Sequence, residues 1–151
     1  MTYSEKHMLL FLDFDGVLHG AGEPAFIHAE RLDAVLADYP AVKLVITSSW
    51  RINTTLDVIK SRLPSGLADR IDGITPAMQI KWPPYPKHVR HSEIMLYLKN
   101  LPVAPCNWVA LDDDAQLFPA DCQELILCNP LIGFDDKAAQ QLKARFEGLK
   151  S

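Results

Sequence analysis

The chain has 151 residues, of which 48% are hydrophobic and 23% are charged, and its formal net charge is -4 at pH 7. This length predicts one domain, over residues 1–151, that buries roughly 68–70% of the surface of the unfolded chain, and the composition excludes a disordered or collagen-like protein. The acidic balance argues against a broad basic surface for duplex nucleic acid, although it leaves room for a small basic patch.

Strand and helix patterns alternate in the first half of the chain. The apolar run Met8 to Leu12 predicts a strand that is buried on both faces. Helical spacing of apolar residues predicts a helix from Pro24 to Tyr39, and Val42 to Ile46 predicts a second strand. Asn53 is expected to cap the next helix, and a short third strand is expected within Asp72 to Thr75.

The same alternation continues in the second half. A proline-rich loop is expected at Lys81 to Pro86, because proline cannot donate to a sheet ladder and restricts the residue before it. Four further elements follow: a helix at Ser92 to Leu101, strands at Trp108 to Leu111 and Leu125 to Cys128, and a last helix opened by Asp135 or Asp136. The pattern predicts an α/β fold with a mainly parallel sheet and helices on both faces.

Neither a membrane segment nor a disulfide framework is predicted. The apolar run at Met8 to Leu12 is far shorter than the roughly 20 residues of a membrane span or the roughly 7–15 of a signal-peptide core. The cysteines, Cys106, Cys122 and Cys128, are odd in number and lack C-x-x-C spacing, which is typical of free thiols packed in a core. We therefore expect no membrane association and a reducing, cytoplasmic compartment.

Three of the predicted strands end in polar residues. Asp13 and Asp15 follow the first strand, Thr47 follows the second, and Asp112 and Asp113 follow the fourth. A lone aspartate at such a place is most often a helix cap. Ligands of an open parallel sheet bind outside the carboxyl ends of its strands, so the combined pattern predicts that these groups meet at one edge.

Carboxylates that meet in this way repel one another. Two like charges about 4 Å apart cost about 4 kcal/mol at an effective dielectric of 20. Such a cluster holds either protons or a cation, and oxygen ligands favour Mg²⁺, which also binds the phosphate oxygens of substrates. The sequence therefore predicts a Mg²⁺ site.

These residues resemble the motifs of the haloacid dehalogenase (HAD) superfamily of phosphatases. Leu12 to Leu18 resembles the first motif, D-x-D-G after an apolar strand. Leu44 to Thr47 resembles the second motif, and Val109 to Asp113 resembles the fourth. The third motif needs a Lys or Arg at the start of the helix before the fourth strand, where Arg90 fits and Lys87 is the alternative.

A smaller group within the superfamily shows a looser similarity. The runs Ser48-Ser-Trp-Arg51 and Leu111-Asp-Asp-Asp114, together with the spacing Arg90-x-x-Glu93, resemble HAD domains linked with RNA-repair proteins. The stretches after the first and second motifs are too short for the cap domain that many relatives carry. The resemblance thus implies a capless Rossmannoid domain with an open site, which admits either a bulky phosphorylated substrate such as a macromolecule or a partner protein that covers the site.

The resemblance implies phosphatase chemistry through a covalent intermediate. Asp13 would attack phosphorus to form an aspartyl-phosphate, and Asp15 would act as general acid and then as general base. Thr47 would hold a phosphoryl oxygen. Arg90, or alternatively Lys87, would offset the charge of the intermediate.

By the same resemblance, Mg²⁺ would bind Asp13, the carbonyl of Asp15 and Asp112, with Asp113 as a further ligand or just outside the ligand shell. The fourth motif also contains Asp114, and the first of its three acids, directly after the strand, is the favoured ligand. Relatives that cleave carbon–halogen bonds lack the second aspartate of the first motif and need no Mg²⁺. The presence of Asp15 therefore favours phosphoryl chemistry.

Further residues beside the motifs are candidates for substrate binding. Ser48 and Arg51 follow the second motif, His19 follows the first, and Lys87 precedes the helix of the third. The alternative reading is a turn or packing role for His19 and an ordinary surface or ion-pair role for Arg51.

Three functions are compatible with this sequence. The first is a Mg²⁺-dependent phosphatase. The second is a nucleic-acid end phosphatase, in which Trp82 and Tyr85 stack on a base, although the net charge speaks against it. The third is a non-catalytic phosphate-binding module similar to a receiver domain. Receiver domains, however, carry the acidic pair first and the phosphorylated aspartate on a later strand, which is the reverse of the order here.

Overall fold

The structure is a computed structural model that describes residues 8–78, 82–102 and 107–149. Within these residues five strands form one sheet: Met8–Leu12 (β1), Lys43–Ile46 (β2), Ile71–Ile74 (β3), Asn107–Asp112 (β4) and Leu125–Leu127 (β5). The strand order is β3-β2-β1-β4-β5, and every neighbouring pair is parallel. The predicted α/β fold with a parallel sheet is confirmed.

Helices cover both faces of this sheet, as predicted. The described part of the chain contains six: Ala29–Leu36 (α1), Trp50–Asn53 (α2), Leu56–Ser61 (α3), Ser65–Ala68 (α4), Val89–Lys99 (α5) and Asp136–Leu149 (α6). A short 3₁₀ helix, Ala115–Leu117, follows β4. Apart from β2, the described residues between β1 and β3 form only short helices and turns, so they hold no cap domain.

The central strand β1 divides the core between the two faces. Met8, Leu10 and Leu12 point into the larger cluster, which includes residues of α1 and α6. Leu9 and Phe11 point into the smaller cluster, which α5 covers. Burial on both faces explains why this strand is a continuous apolar run. It also places the carboxyl end of β1 between those of β2 and β4.

Three helix starts differ from the sequence predictions. Helix α5 begins at Val89, before the predicted start at Ser92. Helix α1 begins only at Ala29, because residues 25–28 form turns and Phe26 adopts a positive φ of 64°. Asn53 ends α2 instead of capping the next helix. The cap of α3 is Thr55, whose extended backbone lets its hydroxyl accept the Val58 N–H at 3.3 Å.

The structure also bears on the predictions about free thiols and membrane segments. Cys128 is buried in the core and Cys122 is half-buried, and both are free thiols. Cys106 and Lys81 lie outside the described residues. No described helix has both the length and the apolar character needed to cross a bilayer.

Candidate functional site

The sheet ladder continues one residue beyond the strands and fixes the first two polar residues of the site. The Asp13 N–H donates to the Leu111 carbonyl at 3.1 Å, and the Thr47 N–H donates to the Leu12 carbonyl at 3.0 Å. Asp112 is the last residue of the neighbouring strand β4. The polar strand ends therefore meet at one edge, as the parallel sheet requires.

Three carboxylates form the centre of this edge. One oxygen each from Asp13, Asp112 and Asp113 lies within 4.8 Å of the other two, and the first two residues are buried. Burial raises the pKa of Asp13, and the nearby Asp112 raises it further. Burial likewise raises the pKa of Asp112. This all-oxygen donor set fits Mg²⁺, because a hard cation would relieve the repulsion that otherwise favours protonation.

Arg90 brings a positive charge to the carboxylates from the first turn of α5. Its Nη1 lies 2.8 Å from Asp112 Oδ2, 3.4 Å from Asp13 Oδ1 and 3.4 Å from Thr47 Oγ1. Burial acts to lower the pKa of Arg90, but the carboxylates of Asp112 and Asp13 outweigh burial and raise it. Lys87 is exposed and precedes the helix. Of the two cations considered from sequence, Arg90 is the one that the structure places in the cluster.

The Arg51 side chain is buried and donates its hydrogen bonds to other groups of the protein. Its Nε donates to the Thr75 carbonyl at 2.9 Å, and its Nη1 donates to the carbonyls of Thr47 and Ser48 at 2.6 and 2.9 Å. Its Nη2 pairs with Glu93 Oε2 at 2.9 Å, and the side chain is only 4% exposed. Carbonyls and Glu93 thus accept the hydrogen bonds of Arg51 in this structure, and its predicted contact with a substrate phosphate stays a prediction.

Glu93 is the buried residue of the site that sequence reasoning did not assign a role. Its Oε2 pairs with Arg51 and accepts the Met78 N–H at 2.9 Å, and its Oε1 lies 3.9 Å from Arg90 Nε. The sequence feature that could have indicated its role is its position three residues after Arg90, which places the two side chains next to each other on the helix. Ile94, which follows Glu93, is also buried. Glu93 thus joins α5 to α2 and to the segment after β3.

Asp15 stands apart from the buried carboxylates. It follows β1 in a tight turn, and its side chain is 62% exposed. Asp15 Oδ1 lies 2.8 Å from His19 Nε2, and Oδ2 accepts the Trp50 Nε1–H at 3.1 Å. His19 therefore contacts Asp15, while its predicted contact with substrate stays a prediction. A cavity of about 410 Å³ opens beside Asp15, lined by residues 19–23, Gly16, Asp113 and Pro130.

Two further predicted candidates make local caps. The Ser48 hydroxyl accepts the Trp50 N–H at 3.2 Å at the start of α2, and its contact with substrate stays a prediction. Asp114 is exposed, and its Oδ1 accepts the Gln116 N–H at 3.0 Å at the start of the 3₁₀ helix. Asp114 is accordingly absent from the carboxylate group of the described residues, which contains Asp113.

Comparison with known families agrees with this geometry. The family described as "HAD domain in Swiss Army Knife RNA repair proteins" matches residues 9–139, a range that runs from β1 into α6 and includes every site residue named above. The resemblance inferred from the motifs is confirmed. Comparisons with curated proteins and with solved structures gave no match.

Proposed function

Since the chain belongs to this family of HAD domains from Swiss Army Knife RNA repair proteins, we propose that it is a Mg²⁺-dependent phosphohydrolase that forms an aspartyl-phosphate on Asp13. Family membership supports phosphohydrolase chemistry in general. The observation that carries the finer proposal is the grouping of Asp13, Asp112 and Asp113 within 4.8 Å, with Arg90 against it. This arrangement brings together a nucleophile, a cation site and a positive charge that can offset the negative charge of the phosphoryl group.

Asp13 and Asp15 divide the covalent chemistry between them. A carboxylate oxygen of Asp13 attacks phosphorus, the ester P–O bond breaks, and Asp15 gives its proton to the leaving oxygen. Asp15 then takes a proton from a water molecule as the water oxygen attacks phosphorus. The bond between phosphorus and Asp13 breaks, phosphate is released, and both carboxyl groups return to their starting states.

Arg90 and Thr47 hold the phosphoryl group during these steps. The Arg90 guanidinium offsets the negative charge on the equatorial oxygens, and the Thr47 hydroxyl donates a hydrogen bond to one of them. Mg²⁺ would be held by the carboxylates of Asp13, Asp112 and Asp113 and by the carbonyl of Asp15. When bound, Mg²⁺ supplies further positive charge toward the phosphate.

The direct test is phosphate release from an aryl phosphate, measured with Mg²⁺ and with EDTA. We expect release with Mg²⁺ and none with EDTA. A folded, Mg²⁺-loaded protein that releases no phosphate from a panel of monoesters would contradict the proposal. A stable phosphoryl group on Asp13 without release would instead favour the receiver-like binding module.

Two adjacent aspartates provide a matched pair for the metal site. Asp113→Asn is expected to raise the Mg²⁺ concentration needed for half-maximal activity by about 10-fold or more, because a ligand charge is lost. Asp114→Asn should leave that concentration unchanged, because Asp114 lies outside the carboxylate group and asparagine retains the cap. Equal effects of the two changes would refute this assignment.

A second candidate, a phosphatase for nucleic-acid ends, is favoured by the loop before α5. Trp82 and Tyr85 in this loop are 79% and 62% exposed, and the loop leads directly into the helix that carries Arg90. Stacking of one base on an aromatic ring contributes about 1–3 kcal/mol. The description of the matching family, which concerns RNA repair proteins, agrees with this candidate.

The aromatic loop makes this candidate testable with two substrates. A 3′-phosphorylated oligonucleotide should be hydrolysed with a higher kcat/KM than a sugar phosphate. The double change Trp82→Ala and Tyr85→Ala should lower kcat/KM about 10-fold for the oligonucleotide alone, by the loss of stacking. Equal losses for both substrates, or no preference in the wild type, would exclude a role for the loop in binding bases.

A further inference from the structure

The turn after β1 holds Asp15 by two hydrogen bonds from different elements. His19 Nε2 lies 2.8 Å from Asp15 Oδ1, and Trp50 Nε1 donates to Asp15 Oδ2 at 3.1 Å. His19 belongs to the same turn as Asp15, whereas Trp50 is the first residue of α2. Each carboxyl oxygen therefore has its own donor, although Asp15 itself is largely exposed.

A third hydrogen bond determines which nitrogen of His19 carries the proton. The backbone N–H of Phe26 lies 3.1 Å from His19 Nδ1 and can only donate, so Nδ1 accepts. The hydrogen of the neutral imidazole is then on Nε2, where it points at Asp15. His19 is thus fixed as a donor to Asp15 by a residue that lies outside the proposed chemistry.

Aromatic packing holds the second donor in place. The Trp50 ring packs against Phe14 and Phe26 with centroid distances of 5.9 and 5.0 Å, and the Arg62 guanidinium lies 5.4 Å from its centroid. The His19 ring also contacts Phe26, at 5.8 Å. An exposed aspartate without such partners would exchange between rotamers, so these contacts restrict Asp15 to one orientation.

We propose that His19 and Trp50 are positioning residues that hold the Asp15 carboxyl group at the mouth of the adjoining cavity, where it meets the leaving oxygen of the substrate. The proposal rests on the proposed function. A general acid must lie within about 2.6–3.2 Å of the oxygen that it protonates, and a displacement of about 1 Å can cost about 100-fold in rate. Each Asp15 oxygen retains a second lone pair, so a proton can be passed while both bonds persist.

The leaving group of the substrate reports on this role. The departure of an alkoxide leaving group, such as that of glycerol phosphate, depends on its protonation by an acid, whereas p-nitrophenolate departs with little help from an acid. We measure kcat/KM, which reports the steps up to departure of the leaving group and not the later step in which Asp15 acts as a base. For His19→Leu and Trp50→Phe we expect kcat/KM to fall about 10- to 100-fold with glycerol phosphate and less than about 3-fold with p-nitrophenyl phosphate. His19→Gln, which can place an amide N–H near Asp15, should recover most of the lost activity.

A matched control separates positioning from general packing. Trp108 is another half-buried tryptophan, and it packs against Phe11 on the other face of the sheet. Trp108→Phe should leave the ratio of the two activities unchanged. Asp15→Asn, by removing the acid itself, should produce the same dependence on leaving group as the two positioning variants, but more strongly.

An NMR experiment tests the contact without turnover. The indole N–H signal of Trp50, assigned by its loss in Trp50→Phe, should shift on Asp15→Ala, while the signals of Trp82 and Trp108 stay in place. An unmoved Trp50 signal would overturn the proposal, and so would equal losses of kcat/KM for both substrates. Failure of the proposed function would give a different result from these two outcomes. The wild type would then hydrolyse neither substrate, although the indole signal would still shift. In that case the positioning role would be excluded together with the proposed function.

Discussion

Asp13→Asn is expected to lower phosphate release by at least about 10⁴-fold while it stabilises the metal-free protein. The asparagine amide has nearly the same shape as the carboxylate but cannot attack phosphorus, and loss of a covalent nucleophile is among the largest effects of a single substitution. Activity is measured with saturating Mg²⁺. Asp57→Asn, a change of an exposed aspartate in the first turn of α3, is the control and should retain full activity.

The gain in stability follows from the protonation of Asp13. Burial in the first place, and Asp112 in the second, raise its pKa from 3.8 to about 8 in the folded protein. Between these values the folded state binds more protons than the unfolded state, so the free energy of unfolding decreases as pH rises from about 4 to about 8. Asparagine carries no charge at any of these pH values, so the variant gains on the order of a few kcal/mol near pH 8.

Urea unfolding in EDTA between pH 5 and pH 8 measures this gain. The free energy of unfolding of wild type should fall toward pH 8, and that of Asp13→Asn should fall less, so the two curves separate as pH rises. Asp57→Asn should follow the wild type. Parallel curves for wild type and Asp13→Asn would show that the Asp13 carboxyl is not protonated in the folded, metal-free protein.

Gly16→Ala is expected to damage both the stability of the fold and the carboxylate cluster. Gly16 has a φ of 78°, a conformation that costs an L residue about 1–2 kcal/mol. A Cβ atom at this position would also overlap the carboxylate of Asp113. Because the cluster must move to relieve that overlap, we expect a loss of about 100-fold in kcat/KM together with weaker Mg²⁺ binding.

A substitution at Gly22 distinguishes the effect of backbone strain from the effect of the contact with Asp113. Gly22 has nearly the same φ, 80°, but a Cβ built on it meets nothing within 4 Å. Gly22→Ala should therefore lose a similar amount of stability in urea unfolding and keep its affinity for Mg²⁺. Equal kcat/KM for the two variants would mean that backbone strain alone, and not the contact with Asp113, is responsible.

The sequence predicts the residues at the strand ends well because their positions follow from the sheet itself. Once β1, β2 and β4 are recognised as parallel neighbours, Asp13, Thr47 and Asp112 must lie at one edge. Arg90 follows nearly as directly, since α5 leads into β4. Such predictions need only strand direction and chain order.

Side chains that leave the strands are harder to predict because distant partners decide their direction. Arg51 follows the second motif in the chain, yet it turns to the Thr75 carbonyl and to Glu93, neither of which its local sequence indicates. His19 is held by the backbone of Phe26, whose positive φ also breaks the predicted helix. Both outcomes depend on tertiary contacts that periodicity does not report.

The pairing of β1 with β4 has a consequence for the order of events in folding. Residues 13–106 separate these strands in the chain, and Leu10 aligns with Val109 across them. Pairings of such high contact order form slowly, because the entropy of closing a long loop must be overcome first. Asp13 and Asp112 are brought together only by this pairing, so a partly folded chain without it has no cation site. A bound Mg²⁺ would therefore lower the rate of unfolding of the native protein, and it would not change the rates of the early steps of folding.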